Sequence, residues 1–149
     1  MPRSYPSHPV VGVGAVVWRG DAVLLVRRAN PPLPGSWSLP GGAQHVGETM
    51  AEAACREIRE EAGIEIDVLD IVTVVDLIDR DDAGGVRFHY TVVDLLAEWR
   101  QGEAVAGDDA DAVAWATVDM LGDYAVSPQA ERVIRMAAEK RLLLRGGAS

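Results

Sequence analysis

The sequence predicts an α/β protein, a three-layer α/β/α sandwich with a mixed central sheet and two main helices. Three observations point there. Apolar, β-branched runs fill the first thirty residues and return after residue 64. A helix is bracketed by a complete start signal at Thr49 and a stop signal at Gly63. A second helix is announced near the C-terminus by Ser127-Pro128.

The elements follow in order. Met1 to Pro9 holds Pro2, Pro6 and Pro9 and no apolar core, so it reads as a tail and not a signal peptide. Val10 to Trp18 and Ala22 to Arg28 are strands joined as a hairpin at Arg19-Gly20-Asp21. Ala29 to Ser36, with Pro31, Pro32, Pro34 and Gly35, is a loop. A short extended piece, Trp37 to Leu39, leads into a turn at Pro40-Gly41-Gly42. Thr49 caps the first helix with Glu52 reaching back to its amide, and Ala51, Ala54, Cys55, Ile58 and Ala62 form its buried stripe. Gly63 ends that helix in the left-handed conformation, and Ile64 folds back onto the core.

After it, Glu65 to Ile78 is strand-like with room for a bend, Arg80 to Gly85 a polar turn, and Val86 to Trp99 a long strand. Gln101 to Asp111 is an acidic loop, Ala112 to Val118 a short strand, and Val118 to Leu121 one helical turn. Gln129 to Leu144 is the second helix, with Val133, Ile134, Ala137, Ala138 and Leu142 at helical spacing. Arg145 to Ser149 is expected to fray. With no repeat or linker, residues 1–149 read as one domain.

Composition narrows the function. The net charge of −9 argues against a nucleic-acid groove, which needs a basic footprint. The longest apolar stretch, Pro9 to Trp18, is too short to span a membrane, and the expected compartment is the cytoplasm. The lone Cys55 excludes an intrachain disulfide and lies on the apolar stripe, where it reads as core.

The chemistry concentrates on the first helix. Glu57, Glu60 and Glu61 fall within roughly a 100° arc of one face. At ~4 Å and an effective dielectric of ~20, each like-charge pair costs on the order of 4 kcal/mol before screening. A cation among them would relieve that, and oxygen-only ligands suit a hard ion such as Mg²⁺ or Mn²⁺. Arg56, four residues from both Glu52 and Glu60, is placed to bridge them. The bland reading is a solvated acidic surface. Glu48 reads either as an outer contact of a metal site or as a partner for the helix N-terminus.

The offsets settle between these. Gly42, Glu48 and the run Arg56-Glu57-Ile58-Arg59-Glu60-Glu61-Ala62-Gly63-Ile64 resemble the signature box of the Nudix hydrolases at every defining position. Trp37-Ser38-Leu39-Pro40-Gly41-Gly42 resembles the family's lead-in to the box. His89-Tyr90, together with Gly107-Asp108-Asp109-Ala110 ahead of Trp115, is most similar to the small ADP-ribose pyrophosphatase-like, MutT-like branch. His45 departs from the pattern, since relatives usually carry Glu there.

The resemblance implies the Nudix α/β/α fold and hydrolysis of a phosphoanhydride by metal-activated water. It implies Mg²⁺, or Mn²⁺, held by Glu57, Glu60, Glu61 and the Gly41 carbonyl, with Arg56 orienting carboxylates. Asp109, from the acidic loop, is the implied distant base or extra ligand; its alternative is a solvated loop residue. Arg28, or Arg27 beside it, would hold a substrate phosphate unless both are edge charges, and Trp37 would stack on a base unless it is core. His89 reads as packed within its strand. The implied ligand is a nucleoside diphosphate linked to another moiety, with ADP-ribose ahead of oxidised or ordinary nucleoside triphosphates. A homodimer is among the assemblies the resemblance implies. Against hydrolysis stand a nucleotide-sensing domain that has lost catalysis, opposed by the intact carboxylates, and a structural protein, which would show no dependence on divalent ions.

Overall fold

In the computed structural model, residues 4–28, 36–107 and 110–147 are described. Among the described residues, seven strands, β1 (Val10–Arg19), β2 (Ala22–Arg28), β3 (Trp37–Ser38), β4 (Gly41–Ala43), β5 (Glu65–Arg80), β6 (Val86–Gln101) and β7 (Ala110–Thr117), form one sheet. Helix α1 (Met50–Ala62) precedes β5, and a 3-10 helix (Val118–Tyr124) leads to α2 (Pro128–Gly147). The sheet is mixed because β1 runs parallel to β6 while its other pairings are antiparallel.

The side-chain period of two divides the core into two layers. Val16 and Trp18 of β1, Val23 and Leu25 of β2, Leu96 and Ala116 pack with Val133, Ile134 and Ala137 of α2. The alternate residues Ala15, Val17, Leu24 and Ala97 pack with Ile58 and Ala62 of α1 and with Ile64. The three layers are therefore α1, sheet and α2, as the sequence predicts.

One departure positions the site. β1 and β2 pair only at the hairpin end, Trp18 with Val23 and Arg19 with Ala22. Beyond it they splay apart. β4 takes the freed edge of β1, pairing Gly14 with Gly41, and β3 takes that of β2, pairing Val26 with Ser38. The Ala15 amide donates to the Pro40 carbonyl at 3.1 Å and stitches the gap. The expected turn at Pro40-Gly41-Gly42 is thus part of a strand. A Cβ at Gly41 would overlap the main chain of Val13 and Gly14, so the glycine is what lets the two backbones approach this closely.

Other corrections are local. Ala51 is exposed in the first turn of α1, and Ala53 is buried instead against Val13, Val93 and Leu95. On α2, Leu142 is 70% exposed and Arg141 is buried in its stead. Hydrophobicity alone picks the leucine. The arginine wins because Glu98 of β6 accepts its Nε and Nη2 at 2.6 and 2.9 Å and the Trp18 ring lies 4.8 Å from its guanidinium carbon. The helix continues to Gly147 where fraying was expected from Arg145, and the 3-10 helix extends past Leu121 to Tyr124. The bend expected in β5 takes the form of register shifts at Val68/Asp70 and Ile71/Thr73. Among the described residues, no helix is long and apolar enough to cross a membrane.

Candidate active site

Helix α1 is held at both ends by its own sequence. Thr49 Oγ1 accepts from the Glu52 amide at 3.0 Å while Glu52 Oε1 accepts from the Thr49 amide at 2.8 Å. At the other end Gly63, at φ 69° and ψ 21°, donates to the Arg59 carbonyl. Two further carbonyls of the last turn are satisfied from a distance. The Val105 amide reaches Ala62 at 2.9 Å and the Gly107 amide reaches Glu61 at 2.8 Å. A Cβ at Gly107 would collide with the Glu60 carbonyl oxygen, so only glycine lets the acidic loop lie against the helix end.

This frame aims the carboxylates at β4. Glu61 is buried, and its Oε2 accepts the Gly41 amide at 3.1 Å. The Glu57 carboxylate rests against Gly42 where a Cβ would sit. Main chain and carboxylates therefore meet with no side chain between them, a surface of oxygen donors of the kind hard cations prefer.

Arg56 organises the remainder. Its Nε and Nη2 form a fork onto Glu48 at 2.6 and 3.0 Å, Nη2 also donates to the Ala43 carbonyl at 2.9 Å, and Nη1 lies 2.8 Å from Glu57 Oε1 and 3.3 Å from Glu60 Oε2. The sequence placed Arg56 between Glu52 and Glu60; Glu52 is instead committed to the helix cap, and Glu48 takes its part. Glu48 also accepts from the His45 amide at 2.8 Å. The Arg56 guanidinium, with that amide second, holds the Glu48 carboxyl down at about 2, and the Arg56 pKa is raised in turn, first by Glu48. The positive charge that the acidic arc demands is here supplied by Arg56. Among the described residues no three acidic, histidine or cysteine side chains converge as a ready metal cluster.

The residues expected outside the helix are dispersed. Arg27 donates to Asp111 at 2.7 Å and lies over the Trp37 ring at 5.6 Å. Trp37 itself packs edge-on against Tyr124, with ring centroids 5.1 Å apart, on the α2 side of the core. Arg28 lines a cavity of about 200 Å³ between the sheet and the start of α2, with Ser38, Leu39 and Asp94. His89 sits within β6 opposite Ile78. Asp109 lies outside the described residues. Sequence reasoning missed three features: the Glu48–Arg56 fork, the Gly107 contact and Asp94. For Asp94 a signal existed, a carboxylate at an inward position between Val92 and Leu96 in the otherwise apolar run Val92 to Ala97.

The fold and the site together are an α/β/α sandwich whose first helix turns an acidic arc, braced by one arginine, onto a Gly-Gly strand. Residues 8–137 match the NUDIX domain, and the chain belongs to the Nudix family. It is 39% identical over 103 residues to an ADP-ribose pyrophosphatase of Methanocaldococcus jannaschii, covering 69% of this chain and 59% of that protein. It is 47% identical over 60 residues to a putative 8-oxo-dGTP diphosphatase 2 of Mycobacterium tuberculosis, covering 40% of this chain and 42% of that one. The chain thus spans about half the length of these relatives. Among solved structures, a MutT NUDIX hydrolase from Burkholderia pseudomallei superposes with a TM-score of 0.75 at 32% identity, covering 87% of this chain and 98% of that one.

Proposed function

We propose that this protein hydrolyses the phosphoanhydride bond of a nucleoside diphosphate linked to a second moiety, with ADP-ribose or a related nucleoside diphosphate sugar as the favoured substrate. The observation that carries the reading is the seating of Glu57 and Glu61 directly against the Gly41–Gly42 main chain. Glu57, Glu60, Glu61 and the Gly41 carbonyl would hold Mg²⁺ or Mn²⁺, which when bound neutralises phosphate oxygens and lowers the pKa of a bound water. The fit rests on the donor set, which is all oxygen, and on the absence of any Cβ between main chain and carboxylate.

The chain's own groups then have distinct tasks. Arg56 keeps Glu57 and Glu60 in fixed orientations and balances their charge before ligands arrive. Glu48 fixes Arg56 from the other side, so the guanidinium is not free to follow one carboxylate. The Gly41 amide orients Glu61. Arg28, on the wall of the neighbouring cavity, would attract the substrate's phosphates. The archaeal relative's name favours ADP-ribose. The mycobacterial relative's name supports a second reading, pyrophosphohydrolysis of an oxidised nucleoside triphosphate.

The test is incubation with ADP-ribose, nucleoside diphosphate sugars and nucleoside triphosphates, with and without Mg²⁺ or Mn²⁺, and identification of the products. Hydrolysis of ADP-ribose to AMP and ribose phosphate, dependent on the ion, is expected. Glu57→Gln and Glu61→Gln should each slow turnover by roughly 10²-fold or more while the fold survives. Wild-type rates in both variants would overturn the assignment.

A further inference from the structure

Two of the three carboxylates of the acidic arc sit where a helix is least steady. Helix α1 ends at Ala62, so Glu60 and Glu61 belong to its last turn. Glu57 lies one turn inside, with Arg56 Nη1 at 2.8 Å, whereas the same atom reaches Glu60 only at 3.3 Å. The chain leaves the helix at Gly63, and the carbonyls of Glu61 and Ala62 fall beyond the helix's own ladder. Helix ends fray unless donors from outside are supplied.

The acidic loop supplies them. Val105 and Gly107, two residues apart, turn their amides to Ala62 at 2.9 Å and Glu61 at 2.8 Å. The contact is backbone on backbone, since a Cβ at Gly107 would overlap the Glu60 carbonyl oxygen and lie 3.5 Å from that of Glu61. The loop is itself fixed on both sides. Trp99 donates its indole N–H to the Gly102 carbonyl at 2.8 Å, Ala104 packs with Ile58, Ala62 and Ile64, and Asp111 accepts from Arg27 at 2.7 Å. An anchored strap therefore bears on the peptide groups of the two outermost carboxylate residues.

Such a strap sets orientation. Glu61 meets the Gly41 amide at 3.1 Å, a bond that holds only while the last turn keeps its rotation. Small divalent ions demand near-ideal geometry at about 2.1 Å, so a turn that wanders lowers affinity even with every ligand present.

Resting on the cation site proposed above, we propose that Gly107 is a positioning residue for that site. Its main chain pins the last turn of α1, so that Glu60 and Glu61 meet a divalent ion already oriented. Gly107 acts through the two glutamates and is not itself a ligand.

The test titrates Mn²⁺ into metal-free protein and follows the electron paramagnetic resonance of the free ion. Gly107→Ala should weaken uptake by roughly 10-fold, the scale on which outer contacts of a metal site act. Gly84→Ala is the control. That glycine lies at φ 87° between β5 and β6 with open space around it, so alanine strains the backbone away from α1 and leaves uptake unchanged. A second readout needs no metal. Gly107→Ala should speed hydrogen exchange of the Gly41 amide relative to a core amide such as that of Ala97, and Gly84→Ala should not. Val105→Pro withdraws the amide from Ala62, should act in the same direction, and serves should the first variant be misfolded. Unchanged uptake with unchanged Gly41 exchange in a folded Gly107→Ala, or equal losses in the control, would sink the proposal. Should wild type take up no Mn²⁺, the cation site fails by itself. Exchange at Gly41 alone then decides whether Gly107 orients Glu61.

Discussion

Replacing Asp94 by asparagine should stabilise the protein, and should do so only above mildly acidic pH. The side chains are nearly isosteric, so packing against Gly14 is kept and the charge is removed. Folding raises the Asp94 pKa from 3.8 to about 6. The shift of about 2 units, at 1.36 kcal/mol per unit, makes the ionised carboxylate cost the fold about 3 kcal/mol. The sign follows from proton binding: the folded state holds this proton more tightly than the unfolded one. Below about pH 4 both states are protonated and the penalty vanishes; it grows as pH rises toward 6 and is complete above that. For a chain of 149 residues, about 3 kcal/mol corresponds to a Tm difference of roughly 6–12 °C. Thermal and urea unfolding of both proteins across about pH 4 to 8, followed by circular dichroism, measures it. A difference that stays flat with pH, or a variant less stable than wild type near pH ~8, would refute the reasoning.

Gly107→Ala should drive a Cβ into the Glu60 carbonyl, lift the loop from the end of α1 and destabilise the protein by about 1–3 kcal/mol. Faster amide exchange at Val105 and at position 107, with reduced turnover, is the readout, and unchanged exchange would count against the contact. Arg56→Ala should raise the Glu48 pKa from about 2 toward its ordinary 4.5, the His45 amide still holding it below that value, which carboxyl NMR resolves. Because this pKa is depressed by folding, the stability it supplies is present above about 4.5 and is lost as pH falls toward 2, more in wild type than in the variant. The loss of turnover in Glu57→Gln and Glu61→Gln stands beside these as the test of the acidic arc.

Helix α1 was legible almost to the residue because its signals are local. The capping box, the acidic arc and the left-handed glycine need only neighbours within a few positions, and all are present in the structure. The hairpin was legible for the same reason. What escaped depends on chain distant in sequence. The Gly-Gly segment reads as a turn until β1 and β2 splay and leave an edge for it to pair with. Arg141 outranks Leu142 because Glu98, 43 residues away, is waiting for it. Arg56 takes Glu48 over Glu52 because the cap had already claimed Glu52. Gly107 looked like loop composition, and its role emerges only when the loop meets the helix end.

The parallel pairing of β1 with β6 joins Val10 to Tyr90 and Trp18 to Glu98. During synthesis, then, the first hairpin and the acidic helix emerge well before the strand that completes the middle of the sheet. Until about eighty further residues have left the ribosome, Val16 and Val17 lack their neighbours Leu96 and Ala97 and stay open to other chains. Such long-range closure slows folding, so the wait lengthens with translation time and not with the strength of any local signal.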